Sequence, residues 1–141
     1  MPWKMHDKEY GNVVVLPDFD RYTYMCAKFG DWREVWSLRN ANGWILAGDD
    51  EGREGVPVWP HARFAEACAA GSWQGCTPAV IALDDWMNKW LPGMERDNRY
   101  VAAFVLPGAS NRSIKVEPAK HREHLLEELA KYGEDGDEAE E

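Results

Sequence analysis

Long apolar runs are missing from this chain. None approaches the ~20 residues that a membrane-spanning helix needs, and the opening MPWKMHDKEY has no apolar core of a secretion signal. Cysteine is scarce. Cys26, Cys68 and Cys76 are an odd number at no framework spacing, which excludes a disulfide scaffold and points to reduced thiols in the cytoplasm. Clustered positive charge is also absent: 16 Lys and Arg face 25 acids. Direct nucleic-acid binding needs a basic patch and is therefore not expected. GxGxxG, a phosphate loop ending GK[ST], a GxSxG elbow and HExxH are all lacking, so no motif argues for an enzyme.

What is present bounds the chain to one domain. Its 141 residues are 45% hydrophobic and 12% aromatic, enough for a single core without staples. The net charge is −9 for the chain and −3 without the six acids of the last nine residues, GEDGDEAEE. We therefore expect a domain over residues 1–132 and an acidic, disordered tail over 133–141.

The pattern predicts two N-terminal helices. The first spans His6 to Val15, with Asp7 as its cap, and stops before Pro17. The second starts at Asp18, repeats Phe19, Tyr22, Met25, Cys26 and Phe29 at helical steps, and closes at Gly30. Three antiparallel strands follow as a meander: Val35–Arg39, Trp44–Gly48 and Val56–Trp59. Asn40 to Gly43 form the first turn, and Pro57 marks the third strand as an edge. Pro60 opens a helix from His61 to Ala70 whose stripe is Phe64, Ala65, Cys68 and Ala69. Val80–Leu83 is a strand, and the next helix, capped by Asp84, turns Trp86, Met87, Trp90 and Leu91 inward. Tyr100–Leu106 is a central strand buried on both faces, and Ser113–Val116 is another. Pro118 opens the last helix, which buries Leu125, Leu126, Leu129 and Ala130. The mixed order of helices and strands gives an α+β fold built mainly on antiparallel sheet.

Several clusters carry chemistry in principle. Asp49, Asp50, Glu51 and Glu54 crowd a turn, with His61 downstream. Hard cations want such oxygens, but the spacing fails the twelve-residue calcium loop because Gly52 comes too early. His61, Cys68 and Cys76 lack the close pairing of a zinc site. His121 and His124 lie one turn apart beside Glu117 and Glu128, and the apolar stripe at Leu125 and Leu129 leaves them on the flank or wet face of the helix. No metal and no cofactor is expected. Of the eight tryptophans, Trp86 and Trp90 read as core. Trp32, Trp44, Trp59 and Trp73 flank turns, where half-buried indoles serve either recognition or closure of a small domain.

Four segments, Trp36 to Asp50, Val58 to Ala69, Pro78 to Trp86 and Trp90 to Gly93, together resemble a bacterial family known as domain of unknown function 2750. The likeness covers nearly everything except the acidic end. It implies a single-domain bacterial cytosolic protein, and it brings no activity, cofactor or catalytic residue with it.

Two functions compete. The first is a non-enzymatic module that binds a protein, an immunity-like masker of a basic partner in one version, since complementary charge speeds encounter. The second is an enzyme or small-molecule binder with a pocket of Trp44, Asp49, Asp50, Trp59, His61 and Arg63, where a helix start holds an anion and an Asp acts as base. A homodimer through the edge strand is a third.

Overall fold

A computed structural model describes residues 3–48, 51–107 and 113–140, with side chains through residue 132. The order is α1 (Asp7–Val14), α2 (Asp18–Trp32), β1 (Glu34–Asn40), β2 (Gly43–Trp44), β3 (Ala47–Gly48), β4 (Glu54–Val58), α3 (Ala62–Ala67), β5 (Thr77–Ala82), α4 (Leu83–Asp85), a π turn (Trp86–Trp90), α5 (Leu91–Arg96), β6 (Tyr100–Ala103), β7 (Ile114–Val116) and α6 (Pro118–Glu140). The fold is α+β, as the sequence predicts. The expected disordered tail, 133–141, falls on residues whose side chains lie outside those described.

The strands form two sheets, β2-β1-β5 and β3-β4-β6-β7. The predicted meander is present, but its middle strand is broken at Ile45–Leu46. The first half, β2, pairs with β1, and the second half, β3, pairs with β4 in the other sheet. The two sheets then touch through one backbone pair. Trp36 N donates to Trp59 O at 3.0 Å and Trp59 N donates to Trp36 O at 2.8 Å.

Pro57 explains why that seam stops on its Leu38 side. Along an antiparallel seam the next bonded position falls two residues away, at Pro57, which has no N–H to give. Its carbonyl takes the Ser37 hydroxyl instead, at 2.6 Å. The expectation that Pro57 marks an edge is therefore corrected. β4 lies inside its sheet, parallel to β6, and Pro57 is buried. The strand tolerates it because its nitrogen faces β1, while Val58 O on the other side accepts Phe104 N.

Glycine and proline punctuation was over-read elsewhere too. α2 runs past Gly30 to Trp32, and Arg33 takes the left-handed cap at φ 58°. Gly30 serves close packing: a Cβ there would lie 3.2 Å from the Tyr132 ring of α6. Phe19, expected in the core, is 78% exposed. β6 is buried throughout and paired on both sides, as predicted, but ends at Ala103 because Phe104 turns to φ 50°. α3 starts one residue late, with His61 as its cap, and buries Phe64, Ala65 and Cys68 as expected. In α6, Leu125 is buried but Leu126 is 47% exposed.

Gly55 faces Tyr100 across the parallel β4–β6 pair. A Cβ at Gly55 would lie 2.6 Å from Tyr100 Cζ, and that buried ring has Arg53 and Lys115 over it at 5.4 and 4.8 Å. Gly55→Ala should therefore cost about 1–3 kcal/mol through overpacking, read as a lower urea midpoint. In a Tyr100→Val background most of that cost should vanish; an equal cost there would mean that the ring is not its source.

Candidate functional site

Of the six residues predicted to share a pocket, the four that are described do not converge on one recess. Asp49 and Asp50 lie outside the described residues. Trp59 is fully buried, and its indole N–H donates to Val105 O at 2.8 Å. His61 caps α3. Its Nδ1 accepts from Arg63 N at 3.0 Å, so Nε2 carries the proton and donates to Trp3 O at 2.8 Å. Arg63 pairs with Asp7 at 2.8 Å, donates to Met5 O and covers the Tyr10 ring. His61 and Arg63 thus pin the N-terminal segment onto α3, and Trp3 stacks on Trp32. Trp44 stands apart, edge-on to Trp90 at 5.1 Å.

Two other recesses bring polar and aromatic side chains together. The first is a groove of about 360 Å³ between α2 and α6. The two helices run the same way: Tyr22 meets His121 and His124 near one end, and Gly30 meets Tyr132 near the other. The Tyr22 hydroxyl lies 2.9 Å from His121 Nδ1 and 2.8 Å from His124 Nδ1. One hydroxyl donates once, so one of these histidines carries its proton on Nδ1 and gives it to the Tyr22 oxygen. His124 and Cys26 line the groove, with Phe19 at its lip and Glu127, Glu128 and Lys131 at its rim.

His121 is not on the wet face that its spacing suggested. It is 0% exposed and packs against Phe29 and Trp86. Its Nε2 and the nearby Trp86 Nε1 have no hydrogen-bond partner among the described residues. Burial, and then the charge of His124, push His121 from 6.5 down to about 3, so it stays neutral. Burial also raises the Tyr22 hydroxyl, and pushes the Cys26 thiol up to about 12. Residues at 22, 26, 124 and 128 face each other only because two helices separated by the whole domain pack in parallel. The helical stripe of α2 was a legible signal for Tyr22 and Cys26; their pairing with α6 had none.

The second recess, of about 380 Å³, lies over the π turn and has Trp44 and Trp90 as walls. Pro92 accounts for the turn. It has no N–H, and its ring would strike the carbonyl four residues back. The helix before it widens, and Leu91 N–H reaches Trp86 O, five residues back. Met87 O then has no helical donor, since Leu91 is taken and Pro92 has none to offer. Arg122 of α6 fills the gap, its Nε donating to Met87 O at 3.1 Å. The wider turn also corrects the expected inward set. Trp86, Met87 and Leu91 are buried, but Trp90 is rotated out to half-buried and meets Trp44.

Among the described residues no group of three or more His, Cys, Asp or Glu could hold a metal ion, and no helix is long and apolar enough to cross a membrane.

Below pH 6.5 the unfolded chain takes up a proton on His121 that the native state refuses until about pH 3, so stability is full above 6.5 and falls as the pH drops through that window. From pH 8 to pH 5 the loss should be about 2 kcal/mol. Glu117, held low by the Arg53 hydrogen bond, keeps its contribution at pH 5 and loses it only in stronger acid. Urea unfolding of wild type and His121→Gln at both pH values checks this; equal losses in the two proteins would refute it. Arg122→Met should cost about 1–3 kcal/mol by orphaning Met87 O, read from the same unfolding curves at pH 8.

Among known proteins, a family model described as "Protein of unknown function (DUF2750)" matches residues 22–125, a span that holds Tyr22, His121, His124 and both walls of the tryptophan cleft. No curated protein and no solved structure matches the chain.

Proposed function

The chain belongs to the DUF2750 family, and with no activity attached to that family we propose a role from the physics of the groove: a non-enzymatic module that binds a basic protein. The observation that carries this reading is the Phe19 ring, 78% exposed at the lip of the groove. Beside it burial pushes the Cys26 thiol up to about 12 and raises the Tyr22 hydroxyl, and His121 beneath them stays neutral. A nucleophile or general base needs the opposite adjustment, toward the working pH. What a partner meets instead is the exposed Phe19 ring at the lip, with Glu127 exposed at the rim and Glu128 paired there with Lys131 at 3.4 Å. An apolar anchor ringed by charge is the usual anatomy of a binding spot. The chain's net charge of −9 favours a basic partner and speeds its approach. In the immunity-like version that partner is a basic toxin.

The alternative, an enzyme or small-molecule pocket on Trp44, Asp49, Asp50, Trp59, His61 and Arg63, has less support. The polar atoms of Trp59 and His61 are engaged within the fold, and Arg63 is tied to Asp7 and Met5.

Immobilised wild type, Phe19→Glu and a Glu127→Lys variant would be used to capture proteins from lysate of the producing organism at low and high salt. Both substitutions are on exposed positions, so folding should be unchanged. A basic protein held by wild type, released at high salt and lost by about tenfold or more in each variant is the expected outcome. No captured protein at either salt, or identical capture by all three, would overturn the reading.

A further inference from the structure

The cleft over the π turn has no part in the groove between α2 and α6, yet the fold makes costly arrangements for it. An ordinary helix through Trp86–Trp90 would put both indoles against the core. Pro92 forbids that, and the resulting turn leaves a carbonyl that Arg122 satisfies. π turns are rare and occur frequently at functional sites. Here the effect of the turn is specific. It presents Trp90 at 90° to Trp44, their centroids 5.1 Å apart, so that two indoles form the walls of an open corner. Trp44 is fixed from the other side by the β1–β2 hairpin, where it faces Arg39 in register, and the Arg39 guanidinium lies 5.0 Å from its ring.

Two cations, Lys89 and Arg99, line the corner beside Asp97. Both cations are held loosely. Lys89 reaches Asp85 at 3.4 Å with its own side chain 77% exposed. Arg99 reaches Glu54 at 3.4 Å and Asp97 at 3.7 Å. Exposed ion pairs of this length contribute little, so a ligand anion can compete for either cation at small cost. A cationic ligand would meet Lys89 and Arg99 together. Flat rings are the natural filling for two indoles at right angles, one offering a face and the other an edge. The volume, about 380 Å³, is at the small end of ligand sites.

We propose that the Trp44–Trp90 corner binds a small aromatic anion, a flat ring carrying a carboxylate or phosphate, with Lys89 and Arg99 as the anion's partners. The ring lies in the corner and the anion points outward between the two cations. Arg122 is a positioning residue: it touches Met87 O and Asn88, and acts on the site through the angle of Trp90.

The test is a titration of the full chain followed by the indole N–H signals of Trp44 and Trp90 in NMR spectra, assigned with Trp44→Phe and Trp90→Phe. Four probes separate the chemistries: indole-3-carboxylate, phenyl phosphate, neutral indole and phenyltrimethylammonium. The expected result is saturable shifts of both signals with one or both anions, and binding at least about tenfold weaker for indole and for the ammonium. Which anion binds more tightly distinguishes carboxylate from phosphate recognition. Lys89→Glu, at an exposed position, should weaken the better anion by about tenfold or more and leave amide signals away from the cleft in place. Trp44→Ala should abolish the binding. No saturable shift with either anion, tighter binding of the ammonium, or binding indifferent to Lys89→Glu would overturn the proposal.

Discussion

Two sheets of this protein are joined at one backbone pair, Trp36 with Trp59, and a lone pair of hydrogen bonds holds only where water is kept out. The surroundings of the seam serve that end. The Trp59 indole is fully buried, ties to Val105 O and stands edge-on to Trp73. Cys68 shares the same carbonyl at 3.2 Å, and its burial pushes the thiol up to about 11, so it behaves as a small core residue. Ser37 caps the carbonyl of Pro57, where the ladder would otherwise have continued. The seam lets one chain build two sheets of different hand-over: β2 and β3 are separate strands because the chain crosses from one sheet to the other between them.

Outside the seam, polarity is buried in small sets, each of which leaves one nitrogen, Arg21 Nε or His121 Nε2, without a partner among the described residues. Arg21 is 2% exposed, yet it donates to Leu16 O at 2.7 Å, pairs with Asp18 at 2.9 Å and lies over the Phe104 ring. Tyr22, His121 and His124 form a second set. These groups fix α2 against β6 on one side and α6 on the other more sharply than apolar contact would, because a shift of either helix orphans a buried donor or acceptor. Neutrality is part of the same device. A charged imidazole at His121 would have no compensation from Phe29 or Trp86.

Legibility in the sequence followed the range of the interaction. β6, α3 and the start of α6 are stated by local signals: an apolar run, a proline opening a helix, a stripe at helical spacing. Gly30 and Pro57 were misread because their local meaning is punctuation, while their use here is long-range, the one admitting Tyr132 and the other ending a seam. His121 was assigned to a wet flank from the stripe of its own helix. The side it shows to Phe29 and Trp86 exists only after packing. The candidate site was out of reach for the same reason. Trp44 meets Trp90, some forty-six positions away, rather than His61, whose ring nitrogens are spent on the backbone.

The same helix supports both recesses. Along one turn of α6, His121 packs beneath Trp86, Arg122 clamps the π turn that Trp86 begins, and His124 lines the groove with Tyr22. A displacement of α6 by an ångström would break the 2.8 Å contact of His124 and the 3.1 Å contact of Arg122 together. Substitutions at His121, Arg122 or His124 therefore cannot assign a function to either recess, because each would disturb the other's support. Residues on the opposite walls can. Phe19 stands on α2 and Lys89 on the outer side of the π turn, both in solvent and neither bonded to α6 in the contacts that hold the helix, so each reports on its own recess alone.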